Sequence, residues 1–180
     1  MRPILLLDVD CVLAPSPFNR ATTRDWLWEP PIVSDEISGG FTLHLSREMA
    51  AEVVGLGCDI RWLTTWAHDA SRNIGAHFGW PEHPVAATPK SPGLDLPFSY
   101  WKHIPLWKPR AAFDILANPG PPVVWIDDDI GTFLDLPYES RLGRELDPHD
   151  RLLAIAPVYD TGITRAHIAE VREFLAGRGY

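Results

Sequence analysis

Ile4-Leu5-Leu6-Leu7-Asp8-Val9-Asp10-Cys11-Val12-Leu13 joins an unbroken apolar run to two closely spaced acids. Four apolar residues without alternation mark a strand buried on both faces, as strands of parallel sheets are. Asp8 ends that run, and Asp10 follows on the same side of the loop. Comparable runs recur downstream. Ile60–Leu63 leads into Thr64 and Thr65, Val123–Ile126 leads into Asp127-Asp128-Asp129, and Leu152–Ala156 reads as a fourth strand. Phe41–Leu45 alternates and reads as a further short strand. Helical stretches lie between these runs. Ser46 caps a helix to about Val54, stopped by Gly55 and Gly57, and His68–Phe78 reads as helical up to Gly79. Pro109 leads a helix over Arg110–Leu116, and Thr164 caps a last helix with Ile168, Val171, Phe174 and Leu175 on one face.

Apolar strands alternating with helices predict an α/β fold whose central parallel sheet is covered on both faces. Ligands of such sheets bind beyond the carboxyl ends of the strands. The residues to examine are therefore Asp8 and Asp10, Thr64 and Thr65, and Asp127 and Asp128.

The bulk properties set the bounds. A chain of 180 residues predicts a single domain spanning 1–180. With 46% hydrophobic and 22% charged residues, wholesale disorder is excluded. Sixteen basic against 24 acidic residues give a net charge of −8, which argues against a general polyanion binder. Cys11 and Cys58 are too few for a disulfide framework. Asp8 interrupts the amino-terminal apolar run, so neither a signal peptide nor a membrane span is expected, and the expected setting is the reducing cytoplasm. Eighteen prolines predict shaped loops, concentrated at 14–40 and at 81–109.

Carboxylates gathered at one sheet edge repel, and a divalent cation resolves the conflict. Oxygen-only ligands, few in number and leaving room for a phosphate oxygen, suit Mg²⁺. One aspartate can then attack phosphorus as a nucleophile, and a second acid two residues on can protonate the leaving oxygen. A threonine hydroxyl at the second strand end can hold phosphoryl oxygens, and a lysine at a helix amino terminus adds positive charge there. Lys108 is the lysine candidate, with Lys90 and Lys102 as rivals.

Asp8-Val9-Asp10-Cys11-Val12-Leu13 resembles the first motif of the haloacid dehalogenase-like (HAD) hydrolase superfamily. Thr64 after Ile60–Leu63 resembles its second motif, Lys108-Pro109 the third, and Trp125-Ile126-Asp127-Asp128 the acidic fourth. All four stand in order across most of the chain. Trp62-Leu63-Thr64-Thr65-Trp66 with Trp125-Ile126-Asp127-Asp128-Asp129 is similar to a HAD branch associated with Swiss army knife RNA-repair proteins. The resemblance implies a three-layer Rossmannoid fold with 14–40 as a flap, too short for a large cap domain. It further implies Asp8 as nucleophile and Mg²⁺ ligand, and Asp10 as general acid/base with its backbone carbonyl on the metal. Thr64 would bind the phosphoryl group, with Thr65 beside it, and Lys108 would neutralise Asp8 and the phosphate. Asp128 would be the fourth-motif metal ligand, with Asp127 direct or through water. The implied activity is an Mg²⁺-dependent phosphatase or phosphotransferase working through an aspartyl-phosphate. Its substrate would be a small phosphate monoester or a nucleic-acid end.

Two departures stand out. Cys11 occupies a position that is often glycine in the superfamily, and a positive φ there would cost it about 1 kcal/mol. It also sets a thiol beside the site, which suggests sensitivity to oxidation. Thr132 stands where one form of the last motif has a further acid, so the adjacent pair Asp127-Asp128 is the form that fits. Simpler readings hold elsewhere. Asp129 reads as structural, His77 and His83 as turn residues, and Trp62, Trp66 and Trp125 as core. The rival for the whole chain is a catalytically silent HAD-like module that binds phosphate or protein.

Overall fold

Ile4–Leu7 (β1) lies inside a four-stranded parallel sheet of order β4-β1-β5-β6, with β4 at Asp59–Trp62, β5 at Val123–Ile126 and β6 at Leu152–Ile155. This computed structural model describes residues 1–15, 28, 32–34, 43–91, 107–131 and 149–180. Leu7 pairs with Trp62 on one side and Ile126 on the other, and Ile126 pairs with Ile155. The strands therefore end level, and Asp8, Leu63 and Asp127 are the first residues beyond three neighbouring ends. Strand order reverses between β1 and β5, where parallel sheets open a crevice. Asp8 and Asp127 stand on its two sides.

Neighbouring residues of each strand feed two separate cores. Leu5, Leu7, Ile60, Trp62, Val124, Ile126 and Ile155 face one cluster, shared with Met49 and Val53 of helix α1 (Arg47–Gly55) and Ile168, Val171 and Leu175 of helix α4 (Arg165–Ala176). Ile4, Leu6, Val123 and Trp125 face the other, with Trp107, Ala111, Ala112 and Leu116 of helix α3 (Trp107–Leu116). Helices on both faces explain why the strands read as continuous apolar runs. Ser46 caps α1, its hydroxyl accepting from the Met49 amide at 3.1 Å. Thr164 and His167 form a reciprocal cap on α4.

Several local expectations change. The 68–78 stretch is a π-helical turn (Ala70–Gly75) followed by one α turn, α2 (Ala76–Phe78), before Gly79 at φ +72° ends it. Helix α3 starts three residues earlier than expected, at Trp107, so Lys108 lies inside its first turn. Pro109 is tolerated there because amides of a first helical turn have no intrahelical acceptor. Within the 14–40 stretch, Ile32–Ser34 forms β2 and pairs antiparallel with β3 (Leu43–Leu45). In the 81–109 stretch, Trp62 bridges to Val85, with the Trp62 amide donating to Pro84 O and the Ala86 amide to Trp62 O. That segment covers the β4 edge of the sheet. Most of the remaining flap, residues 92–106 with Lys102, and Thr132 lie outside the described residues.

Candidate active site at the strand ends

The β1 loop is a tight turn. The amides of Val12, Leu13 and Ala14 all donate to Val9 O, and Cys11 sits at φ +59°. Cys11 thus takes the left-handed conformation that a glycine adopts without strain. Asp8 is 4% exposed, and its Oδ1 accepts from the Val9 amide at 2.7 Å. Asp127 is fully buried, its Oδ1 accepting from the Asp129 amide at 3.1 Å. That bond, made by the backbone amide of Asp129, closes the turn after β5.

Lys108 reaches this pair from α3, on the opposite face of the sheet from α1 and α4. It is 3% exposed, with Nζ 2.5 Å from Asp8 Oδ2 and 2.9 Å from Asp127 Oδ2. The first contact is a hydrogen bond. The second is a close ion pair, so one ammonium serves both carboxylates. Asp128 completes a group of three carboxylates whose ligand atoms lie within 4.8 Å of one another.

Among the described residues, three carboxylates against one ammonium leave a formal charge of 1 − 3 = −2 in a largely buried space. The pKa shifts express that imbalance. Burial alone would lower the Lys108 pKa, but Asp8 and then Asp127 raise it above its ordinary value. Asp127 is raised as well, first by burial and then by the Asp8 charge, with Lys108 opposing. A simple ion pair would lower the acid. One ammonium shared between two carboxylates, and closer to Asp8, leaves the buried Asp127 under-compensated. Asp128 is pushed up to about 6 by burial, then by Asp129 and Asp8. Burial, then Asp128, pushes the Cys11 thiol up to about 12. Burial and the neighbouring acids thus hold this thiol in its neutral form.

Asp10 stands apart from the carboxylate group. It is exposed, and its Oδ2 accepts from Trp66 Nε1 at 2.9 Å. Partial burial raises its pKa, the Trp66 hydrogen bond works against that, and the Asp8 charge adds to the rise. Thr64 is fully buried beside this loop, since the Leu63 amide donates to Leu7 O at 2.9 Å. Its Oγ1 accepts from the Trp66 amide at 3.3 Å. Thr65 is exposed, and so is Lys90.

The tertiary structure thus gathers Asp8, Lys108, Asp127 and Asp128 into one cluster, with Asp10 and Thr64 on adjoining loops. Of the two described lysines, Lys90 and Lys108, Lys108 makes the contact. Trp62 and Trp125 are core residues as expected, but Trp66 is more than core, because its indole N–H holds Asp10. The available signal was positional: Trp66 follows Thr64 by two, just beyond a strand end, as Asp10 follows Asp8. His77 and His83 pack in an aromatic group with Trp62, Phe78 and Trp80 rather than standing alone on turns.

The donor set fits a hard divalent cation. It consists of carboxylate oxygens within 4.8 Å of one another, and among the described residues three carboxylates share one ammonium. Scans against protein-family models, curated proteins and solved structures find no match to this chain.

Proposed function

We propose that this chain is a Mg²⁺-dependent phosphoryl hydrolase or transferase of HAD type, with Asp8 as the nucleophile. One observation carries the reading: the buried Asp8–Lys108–Asp127 contact with Asp128 alongside, at the crevice where strand order reverses. Asp8, Asp127 and Asp128 would hold the cation, with the Asp10 carbonyl as a further ligand. When bound, the cation neutralises these acids and the incoming phosphate charge.

An Asp8 carboxylate oxygen attacks phosphorus, and the bond from phosphorus to the leaving oxygen breaks. Asp10 donates a proton to that oxygen as it departs. Lys108 orients Asp8 before attack and offsets charge on the phosphoryl group. The Thr64 hydroxyl, with neighbouring amides, holds phosphoryl oxygens, and Thr65 lies at the open rim. Water then attacks the phosphorus of the aspartyl-phosphate and gives its proton to Asp10, releasing phosphate and restoring Asp8. An acceptor alcohol in place of water makes the reaction a transfer.

Purified protein with Mg²⁺ should release phosphate from aryl and alkyl monoesters. Asp8→Asn should lower kcat by about a thousandfold or more, as expected when a covalent nucleophile is removed. Equal rates for Asp8→Asn and wild type would refute the mechanism. Calorimetric Mg²⁺ binding without turnover on any ester would favour the silent binding module instead. A substrate panel including 3′- and 5′-phosphorylated oligonucleotides tests the nucleic-acid-end expectation, which sugar phosphates would displace by being preferred.

A further inference from the structure

Asp10 has a geometric problem that its own loop does not solve. It is exposed, it follows the last residue of β1 by three positions, and the next residue turns left-handed at φ +59°. A short carboxylate in such a position samples several rotamers in water. Proton transfer to a departing oxygen requires one of them, held to within a few tenths of an ångström.

Trp66 supplies the constraint from another strand end. Its indole N–H donates to Asp10 Oδ2 at 2.9 Å, across 56 residues of sequence. The indole itself is well seated. The ring packs against the main core cluster, while the Trp66 backbone amide donates to Thr64 Oγ1 at 3.3 Å and its backbone carbonyl accepts from the Asp69 amide at 2.9 Å. The following residue, Ala67, lies at φ +48°, a left-handed conformation that non-glycine residues adopt only when their surroundings impose it. A rigid donor held on three sides can fix a mobile acceptor. Bonding to Oδ2 leaves Oδ1 of Asp10 available for the proton.

Resting on the phosphoryl-transfer reading above, we infer that Trp66 is a positioning residue for the general acid. It locks the Asp10 carboxyl toward the leaving group and couples that group to the phosphoryl-binding Thr64. The indole touches no reacting atom in this role and acts through Asp10. Its effect therefore depends on how much the leaving oxygen needs a proton. A p-nitrophenolate leaves without help, whereas an alkoxide does not.

The test compares kcat/KM for p-nitrophenyl, phenyl and alkyl phosphates in wild type, Trp66→Phe, Trp66→His, Asp10→Asn and the double variant Trp66→Phe/Asp10→Asn. In Trp66→Phe, which keeps an aromatic ring but loses the N–H, the ratio of p-nitrophenyl to alkyl activity should rise by about tenfold or more. Trp66→His, which keeps a ring N–H, should recover part of that ratio. The double variant should be no more selective than Asp10→Asn alone, since both changes disable one proton transfer. A uniform loss across all leaving groups, or additive effects in the double variant, overturns the role of Trp66 and leaves the phosphatase reading intact. Should Trp66→Phe fail to fold, the ratio in Trp66→His decides alone. Absence of turnover in wild type on every ester overturns the phosphatase reading itself, and this inference with it.

Discussion

Lys108 is the residue on which the cluster's balance turns. Its ammonium lies 2.5 Å from Asp8 and 2.9 Å from Asp127, and removing it would leave two buried carboxylates facing each other. Breaking a buried ion pair by deleting one partner costs about 3–5 kcal/mol, because the remaining charge is stranded. Lys108→Met should therefore lose about 3 kcal/mol in urea unfolding at pH 8 in the presence of a chelator. The loss should shrink towards pH 5, where the stranded carboxylates can take up protons. A pH-independent loss would mean that Lys108 contributes by packing its stem rather than by charge. At this scale the acids were legible in the chain, because each follows directly on an apolar strand. The lysine was legible only as a candidate, since its place at a proline-led helix start favours Lys108 over Lys102 and Lys90 without showing that it reaches Asp8. Thr65, the next residue after buried Thr64, is exposed.

Among the elements, the turn at Val158–Gly162 after β6 bears most directly on the site without contributing a functional group. Gly162 lies at φ +68°, and a Cβ there would fall 2.5 Å from Val12 O and 2.9 Å from Pro15 Cγ. The Ile163 amide also donates to Val12 O, at 2.9 Å. This turn therefore braces the far side of the loop that carries Asp8 and Asp10. Gly162→Ala should destabilise by roughly 1–3 kcal/mol through strain and overlap, lowering Tm by about 3–10 °C. An unchanged Tm in calorimetry would show that the two loops are not in close contact. Helix capping was readable from sequence at Ser46 and Thr164, because caps are local chemistry. The π-helical turn at Ala70–Gly75 was not, since α and π turns share the same apolar spacing over so short a stretch. The β2–β3 pairing escaped notice for another reason. A three-residue strand carries too few side chains to show alternation, and its partner lies eleven residues on from its start.

For the molecule as a whole, the gathered carboxylates couple stability to pH and to cation. Asp128 is pushed up to about 6, and Asp127 is raised as well. In the unfolded chain both acids ionise near the ordinary value of about 3.9. Across the window from about pH 4 to 6 and above, the folded state therefore binds protons that the unfolded chain has released. Stability without cation should accordingly fall as pH rises through that window. Mg²⁺ competes with those protons, so its stabilisation should run the other way. Ten millimolar Mg²⁺ should raise Tm by roughly 3–8 °C at pH 7.5 and by little at pH 5. Differential scanning calorimetry at both pH values checks this, and an equal shift at both would place the cation elsewhere. The strands, their burial on two faces and the order of the acidic strand ends could be read from the chain alone, because apolar runs and caps express themselves within a few residues. What brought Lys108 to Asp8 across 100 residues and Trp66 to Asp10 across 56 was the strand order β4-β1-β5-β6, its level register and helix α3 on one face. Such contacts depend on how distant segments stack, and no local periodicity encodes that.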